Sequence, residues 1–127
     1  SHGGRPTPLA VGIGVNLAEA PPADRLEPGA VEPIALGEVL GDTITPEAFL
    51  DALAPHFAHW QARLAAEGFA PLREAWLARA ARLGQRITAR TPRLTRSGRF
   101  EGIDAEGALI LVTDQGRETI PAADIHF

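Results

Sequence analysis

The stretch Leu9–Leu17, Leu-Ala-Val-Gly-Ile-Gly-Val-Asn-Leu, constrains the fold more than any other part of the chain. It is an apolar run punctuated by Gly12 and Gly14 and ended by Asn16. A short apolar run without clean alternation reads as a strand buried on both faces, and the pattern predicts that strand over Leu9–Val15. Such a strand needs neighbours in a sheet, yet nothing else before residue 86 reads as a strand. The expectation is the last strand of a sheet whose other strands lie outside the chain. The chain has no methionine, which agrees with reading it as the C-terminal part of a longer protein.

Composition bounds what that protein does. A length of 127 residues suits one domain or two very small ones, and 45% hydrophobic residues suffice for a core. Sixteen acidic against twelve basic residues give a net charge of −4, which argues against general nucleic-acid binding. There are no cysteines, so thiol catalysis, disulfides and cysteine-based zinc sites are excluded, and a cytoplasmic setting is expected. The longest apolar stretch falls far short of the roughly 20 residues of a membrane helix.

Asn16 closes the predicted strand at its C-terminal end, where open α/β sheets bind ligands. Its amide offers a donor and an acceptor, which suits reading a base edge; a turn-forming asparagine is the alternative. Gly12 and Gly14 let a backbone or a ligand approach closely, or simply ease strand packing. Ala18–Pro33 carries four prolines and Gly29 and reads as one long loop, a lid or a disordered segment. Ile34–Leu40 is expected as a short helix ended by Gly41. Thr45-Pro46-Glu47 is a helix start. From it, Phe49, Leu53, Phe57, Trp60 and Leu64 form an apolar stripe at helical spacing. Pro55 inside the stripe predicts a kink or a split. Gly68 stops this helix, and a second is expected over Ala70–Leu83. Trp60 and Trp76 are read as core residues. His56 and His59 stand three apart on one helix face but lack a third ligand, so they are read as exposed side chains and no metal site is assigned.

From Gly84 the period changes to two. Strands are expected over Arg86–Arg90, Arg99–Ile103, Ala108–Thr113, Arg117–Ile120 and Ile125–Phe127, with turns at Ser97-Gly98, Asp104–Gly107, Asp114–Gly116 and Pro121–Asp124. Five short strands separated by turns predict a small closed barrel of SH3-like type. Arg86, Arg90, Arg93, Arg96 and Arg99 fall within fourteen residues that hold no acid. Such a face meets phosphates or an acidic partner, or is an ordinary solvated hairpin.

Taken in order, these residues resemble the biotin protein ligases, also called biotin–[acetyl-CoA-carboxylase] ligases. Val11-Gly12-Ile13-Gly14-Val15-Asn16 is similar to that family's Gly-Ile-Gly-x-Asn strand. A proline-rich loop, Ile34-Ala35-Leu36, a helix, Glu67-Gly68-Phe69 and Trp76 follow in the family's order. The closing segment carries Gly102-Ile103-Asp104-x-x-Gly107-Ala108-Leu109 and Ile120-Pro121-Ala122-Ala123-Asp124-Ile125. The likeness covers Leu9–Phe127.

The resemblance implies an α+β chain: the last strand and helices of an α/β ligase catalytic domain over residues 1–83, then an SH3-like barrel over residues 84–127. It implies an enzyme that joins biotin to ATP, supplied with Mg2+, and transfers biotin to a lysine of a carboxylase carrier domain. Asn16 matches the family's adenine contact, and Gly12 and Gly14 match the backbone lining that pocket. Arg86 falls where some members place a basic residue near the triphosphate. Pro33 stands where some members have a tryptophan that packs on the adenine. The family's Gly-Arg-Gly-rich loop and its assisting lysine belong upstream, so no catalytic residue is assigned here, and the chain alone is expected to be inactive without the N-terminal half of the protein. A homodimer is left open. Two other readings are a stand-alone SH3-like partner-docking module and a degenerate, non-catalytic homologue.

Overall fold

The computed structural model describes residues 6–121 and 123–126. Three helices precede a five-stranded sheet: α1 (Leu36–Leu40), α2 (Pro46–Glu67), α3 (Ala70–Leu77), β1 (Arg86–Arg90), β2 (Thr95–Ile103), β3 (Leu109–Thr113), β4 (Gly116–Ile120) and β5 (Asp124–His126).

Leu9–Val15, expected as a strand, joins no ladder among the described residues. The reason is physical: strand hydrogen bonds need a neighbouring backbone, and here none runs beside it. Its large side chains are left open, from Leu9 at 87% exposure to Val15 at 45%.

Thr45 caps α2, its Oγ1 accepting from the Ala48 amide at 3.1 Å. Pro55 does not split this helix, which runs unbroken over 22 residues. The carbonyl four residues back, at Asp51, lies on an exposed turn open to solvent, so the missing bond costs little. Gly68 ends α2 at φ 77°, its amide donating to the Leu64 carbonyl. The next helix stops at Leu77, six residues short of the expectation. Arg82 (φ 65°) and Gly84 (φ 81°) turn the chain there. Gly84 N then donates to Phe100 O at 2.7 Å, drawing the chain into the sheet.

The sheet is antiparallel in the order β4-β3-β2-β1-β5, a meander whose last strand returns to β1. Ile87, Ala89, Phe100, Leu111 and Ile120 from its first four strands close on one another as the core of an SH3-like barrel. Ser97-Gly98, expected as a turn, lies inside β2 opposite Thr88 and Ile87. The actual turn is Thr91–Leu94, where the Thr91 Oγ1 accepts from the amides of Arg93 and Leu94. Glycine is needed at 98 because a Cβ there would run into the Val112 carbonyl. At the other end of β2 the register shifts between Phe100 and Gly102, and Gly102 takes φ 135° in this bulge.

The Gly-Ile-Asp-x-x-Gly motif is a turn built on one carboxylate. The Asp104 Oδ1 accepts from the amides of Glu106 at 3.0 Å and Ala108 at 2.8 Å. Gly107, at φ 86°, donates to the Asp104 carbonyl and sits against the Phe69 ring. That turn, the T-shaped contact of Trp76 with Phe100 at 6.1 Å, and Arg73 join the helices to the barrel. No helix among the described residues is long and apolar enough to cross a membrane.

Candidate functional site

Asn16 sits where the long loop begins and ends. The amides of Leu36 and Gly37 donate to the carbonyls of Asn16 and Leu17, each at 2.8 Å. These bonds bring residue 36 back to residue 16, so Ala18–Pro33 is an excursion from one clamped neck. Gly37 is required at the clamp: a Cβ there would lie 2.9 Å from the Leu17 carbonyl and 2.8 Å from that of Asp42. Within the loop, Ala23–Arg25 forms one short 3-10 turn and Gly29 supplies a φ of 81°.

The Asn16 side chain is exposed. Its amide donates to the Ile34 carbonyl at a long 3.4 Å, while its Oδ1 accepts nothing among the described residues. Gly12 and Gly14 face open space, with no atom within 4 Å of a built Cβ. The structure thus presents two uncrowded glycines and an available amide acceptor along one short segment.

Arg86 lies elsewhere. It opens β1, is exposed, and stands opposite Arg99 on the neighbouring strand. Among the described residues no hydrogen bond joins it to Asn16.

The two tryptophans read as core line instead an open groove where the helices meet the barrel. Trp76 is 48% exposed. This cavity, about 760 Å³, is walled by Trp60, Phe69, Trp76 and Ile103, with His56 and Arg79 as its polar groups. Sequence reasoning missed it because helical spacing marks an apolar stripe without saying what covers it. A second apolar cavity of about 520 Å³ lies between Leu9 and Val11 on one side and Phe57, Trp60 and Leu64 of α2 on the other. Phe57 and Leu64 are both close to half exposed. His56 and His59 are exposed, the latter ring lying edge-on to Trp60 at 5.3 Å.

Comparison with known proteins gives this geometry a context. Residues 83–127 match the family described as Biotin protein ligase C terminal domain. The chain is 58% identical over 119 residues to a biotin–[acetyl-CoA-carboxylase] ligase of Paracoccus denitrificans, covering 94% of this chain and 50% of that protein. It is 30% identical over 120 residues to the bifunctional ligase/repressor BirA of Bacillus subtilis, covering 93% of this chain and 36% of that one. The chain therefore spans half or less of the length of these relatives. Its fold superimposes on the apo biotin protein ligase of Aquifex aeolicus with a TM-score of 0.76 at 13% identity, covering 87% of this chain and 49% of that one. The same enzyme in complex with biotin and ATP gives 0.73 at 16% identity, covering 89% and 46%. Residues 83–127 thus match the biotin protein ligase C-terminal domain, and along nearly its whole length the chain is similar in sequence and fold to part of the biotin protein ligases.

Proposed function

We propose that this chain supplies the adenine edge, the covering loop and the barrel of an ATP-dependent biotin ligase. The 58% identity with the Paracoccus ligase over 119 residues carries this reading. In the reaction, the biotin carboxylate attacks the α-phosphorus of magnesium-bound ATP, and pyrophosphate leaves. The resulting biotinyl-adenylate is attacked by a lysine amine of a carboxylase carrier domain, and AMP leaves. The setting is the cytoplasm.

In this reading Asn16 contacts the adenine edge through the amide whose Oδ1 is available. Gly12 and Gly14 let the nucleotide lie against bare backbone, and their open surroundings support that role. Loop Ala18–Pro33, clamped at its neck, closes over the adenylate. Arg86 approaches the triphosphate. Forming the adenylate also requires positive groups held against the α-phosphate. We assign those to the half of the enzyme that this chain does not span, so the chain alone is inactive.

The test is a streptavidin blot of biotin transfer to a carboxylase carrier domain with ATP and magnesium. One sample holds this chain alone; another adds the remaining half of the ligase as a separate polypeptide. Signal only on mixing supports the reading. Signal from the chain alone overturns the assignment of the chemistry to the other half. Silence in both samples, with an intact ligase active alongside, favours a docking module or a non-catalytic homologue.

A further inference from the structure

We propose that the outer face of the barrel, along the row Arg86, Arg99 and Arg117, docks a carboxylate-rich segment of a protein partner. The inference goes beyond the ligase reading and does not rest on it; the two compete only for Arg86, and competition by pyrophosphate separates them. The register carries the argument. Arg86 of β1 stands opposite Arg99 of β2; Arg99 stands opposite Val112 of β3; Val112 stands opposite Arg117 of β4. Directly opposed residues share a face of a sheet, so three guanidiniums line one cross-strand row. All three are exposed.

The row is under-neutralised. Like charges placed directly opposite one another disfavour the pairing, yet Arg86 faces Arg99. Glu101 is the acid that meets the row, at 3.0 Å from Arg99 and 3.8 Å from Arg117. One carboxylate therefore answers two of three arginines. Farther along the face, Asp124 is opposite Arg90 and offsets that one. Arg73 of α3 lines the same cleft, about 450 Å³, as Arg99, Glu101 and Arg117. This concentration stands in a chain whose net charge is −4.

The shape of the row selects the partner. Four strands at about 4.8 Å spacing span about 14 Å, too long for a single phosphate and suited to carboxylates strung along a polypeptide. Thr88 and Ser97 flank the row, and Phe100, which lines the cleft, is 5% exposed and presents no ring face for stacking nucleic-acid bases. An acidic polypeptide satisfies the row with separate carboxylates, each reaching a guanidinium fork.

The test is fluorescence anisotropy of a labelled octaglutamate peptide with the 127-residue chain at low ionic strength. Inorganic pyrophosphate and a short DNA duplex serve as competitors. Arg86→Glu, Arg99→Glu and Arg117→Glu should each weaken the peptide roughly threefold or more, and added salt should abolish binding. Glu101→Gln should tighten it, and Arg63→Glu on α2 should leave it unchanged. Among the described residues Arg86 is in no ion pair, so its reversal keeps the test sound even where the Arg99 variant loses its fold. No binding of octaglutamate, or equal losses for Arg86→Glu and Arg63→Glu, overturns the proposal. Displacement of the peptide by stoichiometric pyrophosphate or duplex also overturns it, in favour of a phosphate site.

Discussion

The Arg73 Nε on α3 donates to the carbonyl oxygen of Ile103 at the end of β2, at 2.7 Å. This bond ties the helical half to the barrel beside the Asp104 turn, at a partly buried position. Replacing Arg73 with leucine keeps much of the volume and removes the donor, leaving the carbonyl to find water under α3. The expected loss is about 1–3 kcal/mol. Urea unfolding followed by tryptophan fluorescence, in a Trp60→Phe background that leaves Trp76 as the sole reporter, and by far-ultraviolet dichroism measures it. Coincident transitions in the parent chain that separate in the variant show that this bond couples the two parts.

Two glycines should answer differently to the same change. Gly98→Ala places a Cβ against the Val112 carbonyl inside the β2–β3 ladder. Backbone must move, at a cost of about 1–3 kcal/mol. Gly12→Ala meets no atom within 4 Å and should leave the chain's stability within about 0.5 kcal/mol of the parent. Thermal melts of the two variants side by side check the contrast, and equal losses would contradict it.

The barrel was largely legible because its signals are local. The strand expected over Arg86–Arg90 forms with those bounds, and the period of two holds: Ile87 and Ala89 are buried while Arg86 and Arg90 are exposed. Gly41 was expected just past α1 and caps it at φ 68°. Ser97-Gly98 misled because the pair has turn chemistry, while the reason for its glycine is a carbonyl on a strand fourteen residues away. Of the kink or split expected at Pro55, the split does not occur, since an exposed helix face tolerates one missing hydrogen bond. The groove between the helices and the barrel was invisible, because it depends on how α2 and α3 meet the Asp104 turn. No residue pattern encodes that meeting by itself.

The exposed run Leu9–Val15 should make the chain self-associate. Its large side chains stand open beside the half-exposed Phe57 and Leu64 of α2. Apolar surface of this kind recruits another copy. Light scattering of the parent should show concentration-dependent association, and Val11→Lys combined with Ile13→Lys should return a monomer. A parent that is already monomeric at high concentration contradicts the expectation.

Glu67 should titrate below the ordinary glutamate range. The Arg63 guanidinium donates to it at 2.9 Å across one helical turn, and that hydrogen bond, with the charge behind it, lowers the carboxyl pKa. A depressed folded value means that the bridge stabilises above the unfolded pKa and is lost as pH falls through the folded one. Carboxyl-carbon NMR of Glu67 reads the midpoint directly. In Arg63→Gln it should move up toward the ordinary value, and added salt should narrow the gap because the pair is exposed. An unchanged midpoint would mean that the bridge does not persist in solution.

Asn16 separates binding from folding. Its amide bond to Ile34 is long and exposed, and the clamp on α1 runs through its backbone carbonyl, which every residue has. Asn16→Ala should therefore leave the melting of the chain nearly unchanged. In the assembled ligase, the same substitution removes one donor and one acceptor from the proposed adenine contact. ATP affinity should fall by about 1–3 kcal/mol, that is roughly 5- to 150-fold, with biotin affinity much less affected. Isothermal titration of the intact enzyme with each ligand measures both. Equal losses for ATP and biotin would remove Asn16 from the adenine edge and make it a general organiser of the loop neck. Asn16→Asp adds a discriminating step: it keeps the acceptor, replaces the donor amide with a carboxylate oxygen, and brings a negative charge toward the nucleotide. It should weaken ATP at least as much as alanine does if the amide donates to the base.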